Sequence, residues 1–271
     1  MSTERSSALR TALFRLGLLG LAKRGRDLLW AARAVRANFP YLTHGSPDGL
    51  PIPPSSLRIL VAGSPDIAWF LDSGRRGAGS IRTLLERNGL ALDRSGPLLD
   101  FGCGCGRVVR HFGASGVAIH GTDLNPALVT WCRRHLLIGA FVTNALDPPL
   151  AFDDGRFGLV YALSVFTHLS EPLQFAWMQE LRRVLRPGGH LVFSTHGTGH
   201  VAELGPEDRE RFAAGQLVLR RADRQGTNVC GAYHPEAYVR ERLARGFSIV
   251  DFVPEGASGN PRQDLWLLQR A

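Results

Sequence analysis

Lysine is nearly absent from this 271-residue sequence, in which Lys23 stands alone among 32 basic residues. The sequence also has no apolar run near the ~20 residues that a membrane-spanning helix requires. The longest early run, residues 16–22, leads into Lys23-Arg24 rather than into small residues, so we expect no secretory signal. The four cysteines lack the spacing of a disulfide framework, which predicts a reduced protein located in the cytoplasm.

The net charge of +8 would favour a nucleic-acid partner if it were spread over the whole chain. Residues 1–36 contain eight basic and two acidic residues, however, so this segment holds +6 of the total. The rest of the sequence shows no row of basic residues interleaved with aromatic ones, as a nucleic-acid groove would. We therefore expect a basic N-terminal arm and no nucleic-acid partner for the main body.

The first ninety residues are predicted to form a helical arm and a connector. Apolar residues recur at helical spacing through residue 35, and four prolines between residues 47 and 54 indicate an extended link. A second helical stretch is predicted from Ile67 to Asn88, around a glycine-rich loop at residues 74–79. We expect residues 1–90 to act as a lid packed on a domain at residues 91–271, and a membrane surface is the less favoured partner of the arm.

After Gly96-Pro97, short apolar strands alternate with amphipathic helices. Five strands are predicted, at residues 98–101, 117–122, 140–143, 157–163 and 190–195. This alternation predicts an α/β fold, a doubly wound Rossmann-like sheet that is mostly parallel. Residues 246–253 and 263–269 add a C-terminal antiparallel hairpin, which makes seven strands, and residues 197–232 form an insertion.

The first strand runs into a glycine-rich loop, Asp100-Phe-Gly-Cys-Gly-Cys-Gly106. Glycine at alternate positions allows a sharp turn and a ligand lying directly on the backbone. A dinucleotide fingerprint would need glycine at position 107, which is arginine, and a phosphate-binding Gly-Lys-Ser/Thr is absent. Cysteines at positions 103 and 105 do not have a usual zinc spacing, so we expect them to be packing residues and predict no metal site.

Polar residues also end the second and third strands. Asp123 follows the second strand, and a carboxylate beside the glycine loop can accept hydrogen bonds from both hydroxyls of a ribose. Asn144 and Ala145 end the third strand, where they can meet an adenine edge. Ser164 follows the fourth strand, close to the glycine loop in a parallel sheet.

In this order and spacing, the segments at residues 98–112, 121–126, 157–169 and 185–189 resemble the successive motifs of class I S-adenosylmethionine-dependent methyltransferases. The resemblance covers residues 97–196, with a similar tail at residues 233–269. It implies S-adenosylmethionine as cofactor and S-adenosylhomocysteine as product. The implied cofactor contacts are Asp100, Gly102 and Gly104 at the methionine part, Asp123 at the ribose, Leu124, Asn144 and Ala145 at the adenine, and Ser164 at the methionine end.

Two positions depart from the pattern of that family. Asn144 stands where many members carry aspartate, so an amide oxygen would accept the adenine amino group. Gly158 stands where the family usually has aspartate within its fourth strand. Three residues are candidates for the proton acceptor or for another catalytic role: His196, His168 and Tyr233. For each of them the alternative is a purely structural, hydrogen-bonding role.

The expected activity is methyl transfer to a small-molecule acceptor by in-line displacement, because the covering segments are short and the core is not basic. Two alternatives remain open. One is a methyltransferase for RNA or protein that docks through the basic arm, and the other is a non-catalytic cofactor-binding protein of the same fold. The sequence does not identify the acceptor or the methylated atom.

Overall fold

The structure, a computed structural model, describes residues 19–259 and 262–271, with side chains from residue 25 onward. The chain divides into two compact units, residues 1–70 and 71–271. In the described part of the first unit, helices α1 (Leu19–His44) and α2 (Ser55–Ala62) are joined by the proline-rich connector. None of the helices in the described ranges is long and apolar enough to cross a bilayer.

Buried polar side chains organise this first unit. The Asn38 amide donates a hydrogen bond to the Pro65 carbonyl at 3.1 Å and accepts one from the Ile67 backbone N–H at 2.8 Å. The Arg58 guanidinium donates to the same Pro65 carbonyl at 2.7 Å. These bonds fix the inner face of α1, because buried amide and guanidinium groups are stable only with partners.

The second unit is built on a seven-stranded sheet. Its strands are β1 (Leu98–Phe101), β2 (Ile119–Asp123), β3 (Ala140–Thr143), β4 (Phe157–Ala162), β5 (Leu185–Thr195), β8 (Phe247–Ala257) and β9 (Gln263–Arg270). They lie in the order β3-β2-β1-β4-β5-β9-β8. Strands β1 to β5 are mutually parallel, and β9 runs antiparallel to both of its neighbours. The predicted fold class, including the C-terminal antiparallel hairpin, is therefore confirmed.

The two central strands, β1 and β4, are buried along their whole length. Continuous apolar runs of this kind are typical of parallel strands covered on both faces. The described helices that begin in this unit are α4 (Pro126–His135), α5 (Glu171–Val184), α6 (Pro206–Ala213) and α7 (Glu236–Tyr238). The Asn125 side chain caps α4 by accepting from the Ala127 N–H at 3.0 Å, with Pro126 in the first turn.

One expectation was wrong in detail, because residues 74–79 form no loop. Helix α3 runs without interruption over Ile67–Arg87. A Cβ at Gly74 would lie 1.9 Å from the Arg107 carbonyl oxygen, and one at Gly77 would lie 3.3 Å from Val108. The glycines therefore serve close packing of the helix on the segment after β1, which outweighs their low helix propensity.

The insertion between β5 and β8 contains its own small sheet. Strands β6 (Val218–Arg220) and β7 (Gly231–Tyr233) pair antiparallel, and α6 precedes them. An isolated bridge joins Tyr233 to His196 at the end of β5. This bridge holds the insertion at the carboxyl ends of the parallel strands, where open α/β sheets bind their ligands.

Candidate functional site

The loop after β1 is a series of left-handed backbone turns. Gly102, Gly104 and Gly106 have φ values of 87°, 55° and 78°. A Cβ at Gly102 would lie 2.4 Å from Val165, and one at Gly106 would lie 2.1 Å from Leu136. The backbone conformation favours glycine at all three positions, and at Gly102 and Gly106 a neighbouring side chain also leaves no room for a Cβ.

Asp123 lies beside this loop, as its position at the end of β2 predicts. Its carboxylate accepts a hydrogen bond from the Gly104 N–H at 2.9 Å and another from the Asn125 N–H at 2.8 Å. Burial raises the pKa of Asp123, and the two backbone N–H donors oppose that rise. Each carboxylate oxygen keeps further lone pairs, so the group can still accept hydrogen bonds from a ligand.

Asp100 is buried in the centre of the site, between β2 and β4. Burial raises the pKa of its carboxyl to about 7; the Tyr161 hydroxyl opposes this rise, the charge of Asp123 adds to it, and Arg107 opposes it. A cationic ligand beside Asp100 would favour the carboxylate form. The site therefore contains a buried carboxyl group that a neighbouring positive charge would ionise.

The end of β3 offers a hydrogen-bond acceptor and an apolar surface. The Asn144 amide donates to the Ala145 carbonyl at 2.7 Å, while the buried Oδ1 of Asn144 has no partner among the described residues. Leu124, which follows Asp123, leaves 44% of its surface exposed. An unpaired buried acceptor next to an exposed leucine fits a flat ring that carries an N–H donor.

A closed ring of hydrogen bonds holds Ser164, which follows β4 with a φ of 59°. The Ser164 N–H donates to the Ser194 hydroxyl at 2.8 Å, which donates to Oε1 of Gln263 at 2.6 Å. Nε2 of Gln263 returns a bond to the Ser164 hydroxyl at 2.9 Å. The ring stabilises a backbone conformation that non-glycine residues rarely adopt. Sequence reasoning missed Ser194 and Gln263, because they meet only through the β5–β9 pairing.

Gln263→Leu should destabilise the protein by about 1–3 kcal/mol, because it removes the acceptor of the buried Ser194 hydroxyl and the amide donor to the Ser164 hydroxyl. Gln269→Leu on the same strand is the matched control, since Gln269 is half-buried and donates one long bond of 3.3 Å to Gly188. Urea denaturation measures both effects. Equal midpoints for the two variants would show that the ring contributes nothing.

The insertion is hydrogen-bonded to His168, which lies in the segment after β4. The His168 carbonyl accepts from the Gly226 N–H at 2.8 Å, and the His168 ring bonds through Nδ1 to the Cys230 carbonyl at 2.7 Å. A Cβ at Gly226 would lie 2.8 Å from Leu146 and 3.5 Å from Leu124. His168 therefore tethers both ends of the segment 226–230 close to the exposed leucine.

The orientation of His168 follows from these bonds. A carbonyl oxygen only accepts, so Nδ1 of His168 carries the proton and Nε2 carries the lone pair. Nε2 has no hydrogen-bond partner in the described ranges, and burial lowers the pKa of the ring. His168 is thus a neutral imidazole whose acceptor nitrogen is available.

His196, at the end of β5, lies in a cluster with other rings. Its centroid is 4.3 Å from that of His200, 5.3 Å from that of Tyr233 and 6.5 Å from that of His168. Burial, together with His200 and His168, lowers the pKa of His196 to about 3. Nδ1 of His196 is buried without a partner among the described residues, so the ring is a neutral and weakly basic acceptor.

Tyr233 acts as a donor. Its hydroxyl donates to Oε2 of Glu203 at 3.2 Å, and burial, aided by Glu203, raises its pKa. Glu203 also holds Nδ1 of His200 at 2.8 Å, and Nε2 of His200 bonds to the Arg262 carbonyl. The phenol is therefore held in place by Glu203 and is neutral near pH 7, and the catalytic role expected for Tyr233 stays a prediction.

Comparison with known proteins places this geometry in a family. A family model described as methyltransferase domain matches residues 73–250. Malonyl-[acyl-carrier protein] O-methyltransferase of Enterobacter lignolyticus is 33% identical over 108 residues, covering 40% of this chain and 41% of that protein. Ubiquinone biosynthesis O-methyltransferase of Alkalilimnicola ehrlichii is 28% identical over 102 residues, covering 36% and 40%. The chain spans about two fifths of the length of these two curated relatives.

Solved structures share the fold. An S-adenosylmethionine-dependent methyltransferase of Mesorhizobium loti aligns with a TM-score of 0.53 at 22% identity, covering 70% of this chain and 98% of the other. The 1,6-didemethyltoxoflavin-N1-methyltransferase of Burkholderia thailandensis, solved with 1,6-didemethyltoxoflavin and S-adenosylhomocysteine, aligns with a TM-score of 0.50 at 19% identity, covering 74% and 79%. With the family model matching most of the chain, the protein belongs to the methyltransferase-domain family of class I S-adenosylmethionine-dependent methyltransferases.

Proposed function

We propose that the protein transfers the methyl group of S-adenosylmethionine to an oxygen of a small-molecule acceptor by in-line displacement. One observation carries the proposal. The residues that fit the cofactor lie after β1, β2 and β3. His168, whose Nε2 is available, lies after β4, the strand next to β1. The site thus offers a place for the cofactor on one side of β1 and a proton acceptor on the other.

The residues present fit the cofactor. The unpaired Oδ1 of Asn144 can accept a hydrogen bond from the adenine amino group, and Leu124 can pack on the adenine ring. The carboxylate of Asp123 can accept from the ribose hydroxyls, and Gly102 and Gly104 leave the backbone open to the methionine part. Ala145 and Ser164 complete the proposed contacts. When bound, the cofactor supplies a methyl group on a good leaving group.

The protein then has to bind the acceptor, align its lone pair and exclude water. In the proposal, Nε2 of His168 accepts the proton of an acceptor hydroxyl as the oxygen–carbon bond forms. His196 and the Tyr233 hydroxyl line the same region and orient the acceptor. With a pKa of about 3, His196 is the weaker candidate base of the two histidines.

Two observations support this acceptor class. The curated relatives are named as O-methyltransferases, one for a carrier-protein-bound malonyl group and one in ubiquinone biosynthesis. The tethered segment 226–230 and the small β6–β7 sheet are short covering elements. They fit an enclosed small molecule better than an open groove for a polymer.

The test combines binding and turnover. Calorimetry should show binding of S-adenosylhomocysteine, and methyl-labelled S-adenosylmethionine should transfer label to members of a panel of phenols, catechols and aliphatic alcohols. Label found only in added RNA or protein would contradict the small-molecule acceptor. Cofactor binding without transfer to any acceptor class would support the non-catalytic alternative.

His168→Ala should lower kcat by about 10²–10⁴-fold if the ring is the proton acceptor. The wild-type rate should fall in acid, as pH drops through the pKa of His168, which burial holds below its ordinary value of 6.5. At higher pH the imidazole is neutral and the rate should be flat. The pH dependence of kcat measures this limb, which the variant should lose.

His168→Asn is the matched control for the tether. Its amide N–H can replace Nδ1 in the bond to the Cys230 carbonyl, but it offers no base at the position of Nε2. S-adenosylhomocysteine affinity should therefore survive while kcat falls as in His168→Ala. Wild-type kcat in His168→Asn would assign His168 to tethering alone.

A further inference from the structure

Helix α1 carries a row of apolar residues that recur at alternating spacings of three and four. Within α1 the row comprises Leu21, Gly25, Leu28, Ala32, Val35, Phe39 and Leu42, with Gly25 as its single break. Such spacing keeps one stripe of a helix apolar. We call the part whose side chains are described, Leu28, Ala32, Val35, Phe39 and Leu42, the apolar row.

The apolar row is exposed in the structure. The exposed fractions are 71% for Leu28, 52% for Val35, 61% for Phe39 and 64% for Leu42. The face of α1 that packs within its own unit is a different one, marked by buried Asn38 and its two hydrogen bonds. Because successive helical residues are about 100° apart, Asn38 and Phe39 lie on separate faces. A stripe about 20 Å long is therefore open to a partner.

Basic residues flank the apolar row on one side. Arg36 and Arg33 lie about 80° and 140° around the helix from Leu28. Neither forms an ion pair with a carboxylate in the described ranges, while Asp27 is paired with Arg26 at 2.9 Å. Trp30, next to the Arg26 guanidinium, leaves 43% of its surface exposed but lies about 160° around the helix from Leu28, on the opposite side of α1. The apolar row, with the aromatic ring of Phe39, is therefore bordered by arginines that have no carboxylate partner in the described ranges.

The positive charges beside the apolar row distinguish between two possible partners, a second copy of the helix and an anionic bilayer. A second copy of this helix would place the same arginines against each other across the seam, which disfavours pairing. An anionic bilayer instead accepts apolar side chains at the acyl boundary and cationic heads at the phosphates. We propose that α1 docks on an anionic membrane surface, with the apolar row inserted and Arg33 and Arg36 at the headgroups. The helix lies on the membrane and does not cross it.

The experiment uses the full chain and vesicles of phosphatidylcholine, with or without about 30% phosphatidylglycerol. The wild type should co-sediment with the anionic vesicles, less at high salt, and not with the neutral ones. Phe39→Glu should weaken binding by at least about tenfold, since it removes a large apolar contact and adds a charge. Leu28→Glu should do the same and serves as the second variant if the first fails to fold.

Ala37→Glu is the matched control, because it introduces the same charge at an exposed position two residues away on another face. It should weaken binding much less than Phe39→Glu. The proposal is overturned if the wild type does not bind anionic vesicles, or if Ala37→Glu weakens binding as much as Phe39→Glu does. A dimer in light scattering that Phe39→Glu separates, without vesicle binding, would identify a second copy as the occupant. Loss of methyl transfer in Phe39→Glu, again without vesicle binding, would favour the lid.

Discussion

Gly158→Asp should destabilise the protein by about 4 kcal/mol or more, although aspartate is the usual residue of the family at this position. A Cβ at Gly158 would lie 1.5 Å from the Ser95 carbonyl oxygen and 2.7 Å from its carbon. Both are backbone atoms, so the backbone of Ser95, three residues before β1, would have to move. The residue is also buried, so the added carboxylate would lose its hydration. Urea denaturation, with the yield of folded protein, measures the effect.

Gly205→Asp makes the same chemical change in open space. No heavy atom lies within 4 Å of a Cβ at this position, and Gly205 is the residue that precedes the first turn of α6. Aspartate is a favoured residue there, so we expect a change of a few tenths of a kcal/mol in the stabilising direction. If the Gly158→Asp and Gly205→Asp proteins had the same free energy of unfolding, the backbone at Ser95 would be able to move at little cost.

Asp123→Ala should weaken S-adenosylhomocysteine binding by about 3 kcal/mol, or roughly 150-fold. The variant loses the acceptor proposed for the ribose hydroxyls. It also frees the N–H groups of Gly104 and Asn125, which the carboxylate holds at 2.9 and 2.8 Å. The glycine loop would then lose part of its preorganisation as well as a direct contact. Titration calorimetry measures the affinity.

Asp153→Ala is the control, because it removes an exposed carboxylate from the loop before β4. It should leave the affinity within about twofold of the wild type, since exposed single charges contribute little. Asp123→Asn separates the two effects further, because the amide keeps one acceptor oxygen. An Asp123→Ala protein that folds and binds as tightly as the wild type would remove Asp123 from the proposed site.

The strands and the glycine loop were predictable from the sequence because their causes are local. Apolar runs such as residues 98–101 and 157–162 give buried parallel strands, and each strand end carries its polar residue to the same edge. The placement of Asp123 beside Gly104 follows from that rule. The ligand-binding roles of these residues stay predictions.

Other features depend on contacts between distant segments. The glycine-rich stretch at residues 74–79 looks like a loop in sequence, and only the close approach of Arg107 to Gly74 and of Val108 to Gly77 explains the two glycines at those positions of the helix. The hydrogen-bonded ring of Ser164, Ser194 and Gln263 connects the ends of β4, β5 and β9, and no periodic pattern in the sequence predicts it. The tautomer of His168 likewise depends on a carbonyl sixty-two residues away, at Cys230. Local propensity carries no information about such pairings.

The position of β9 has a consequence for the order of assembly. β9 lies between β5 and β8, although it follows both of them in the sequence. During synthesis, β8 leaves the ribosome before the strand that joins it to the sheet exists. Until residues 263–270 emerge, the edge of β5 stays unpaired, and open strand edges template the association of other chains. Nascent chains should therefore be more prone to aggregation just before β9 is added than just after it.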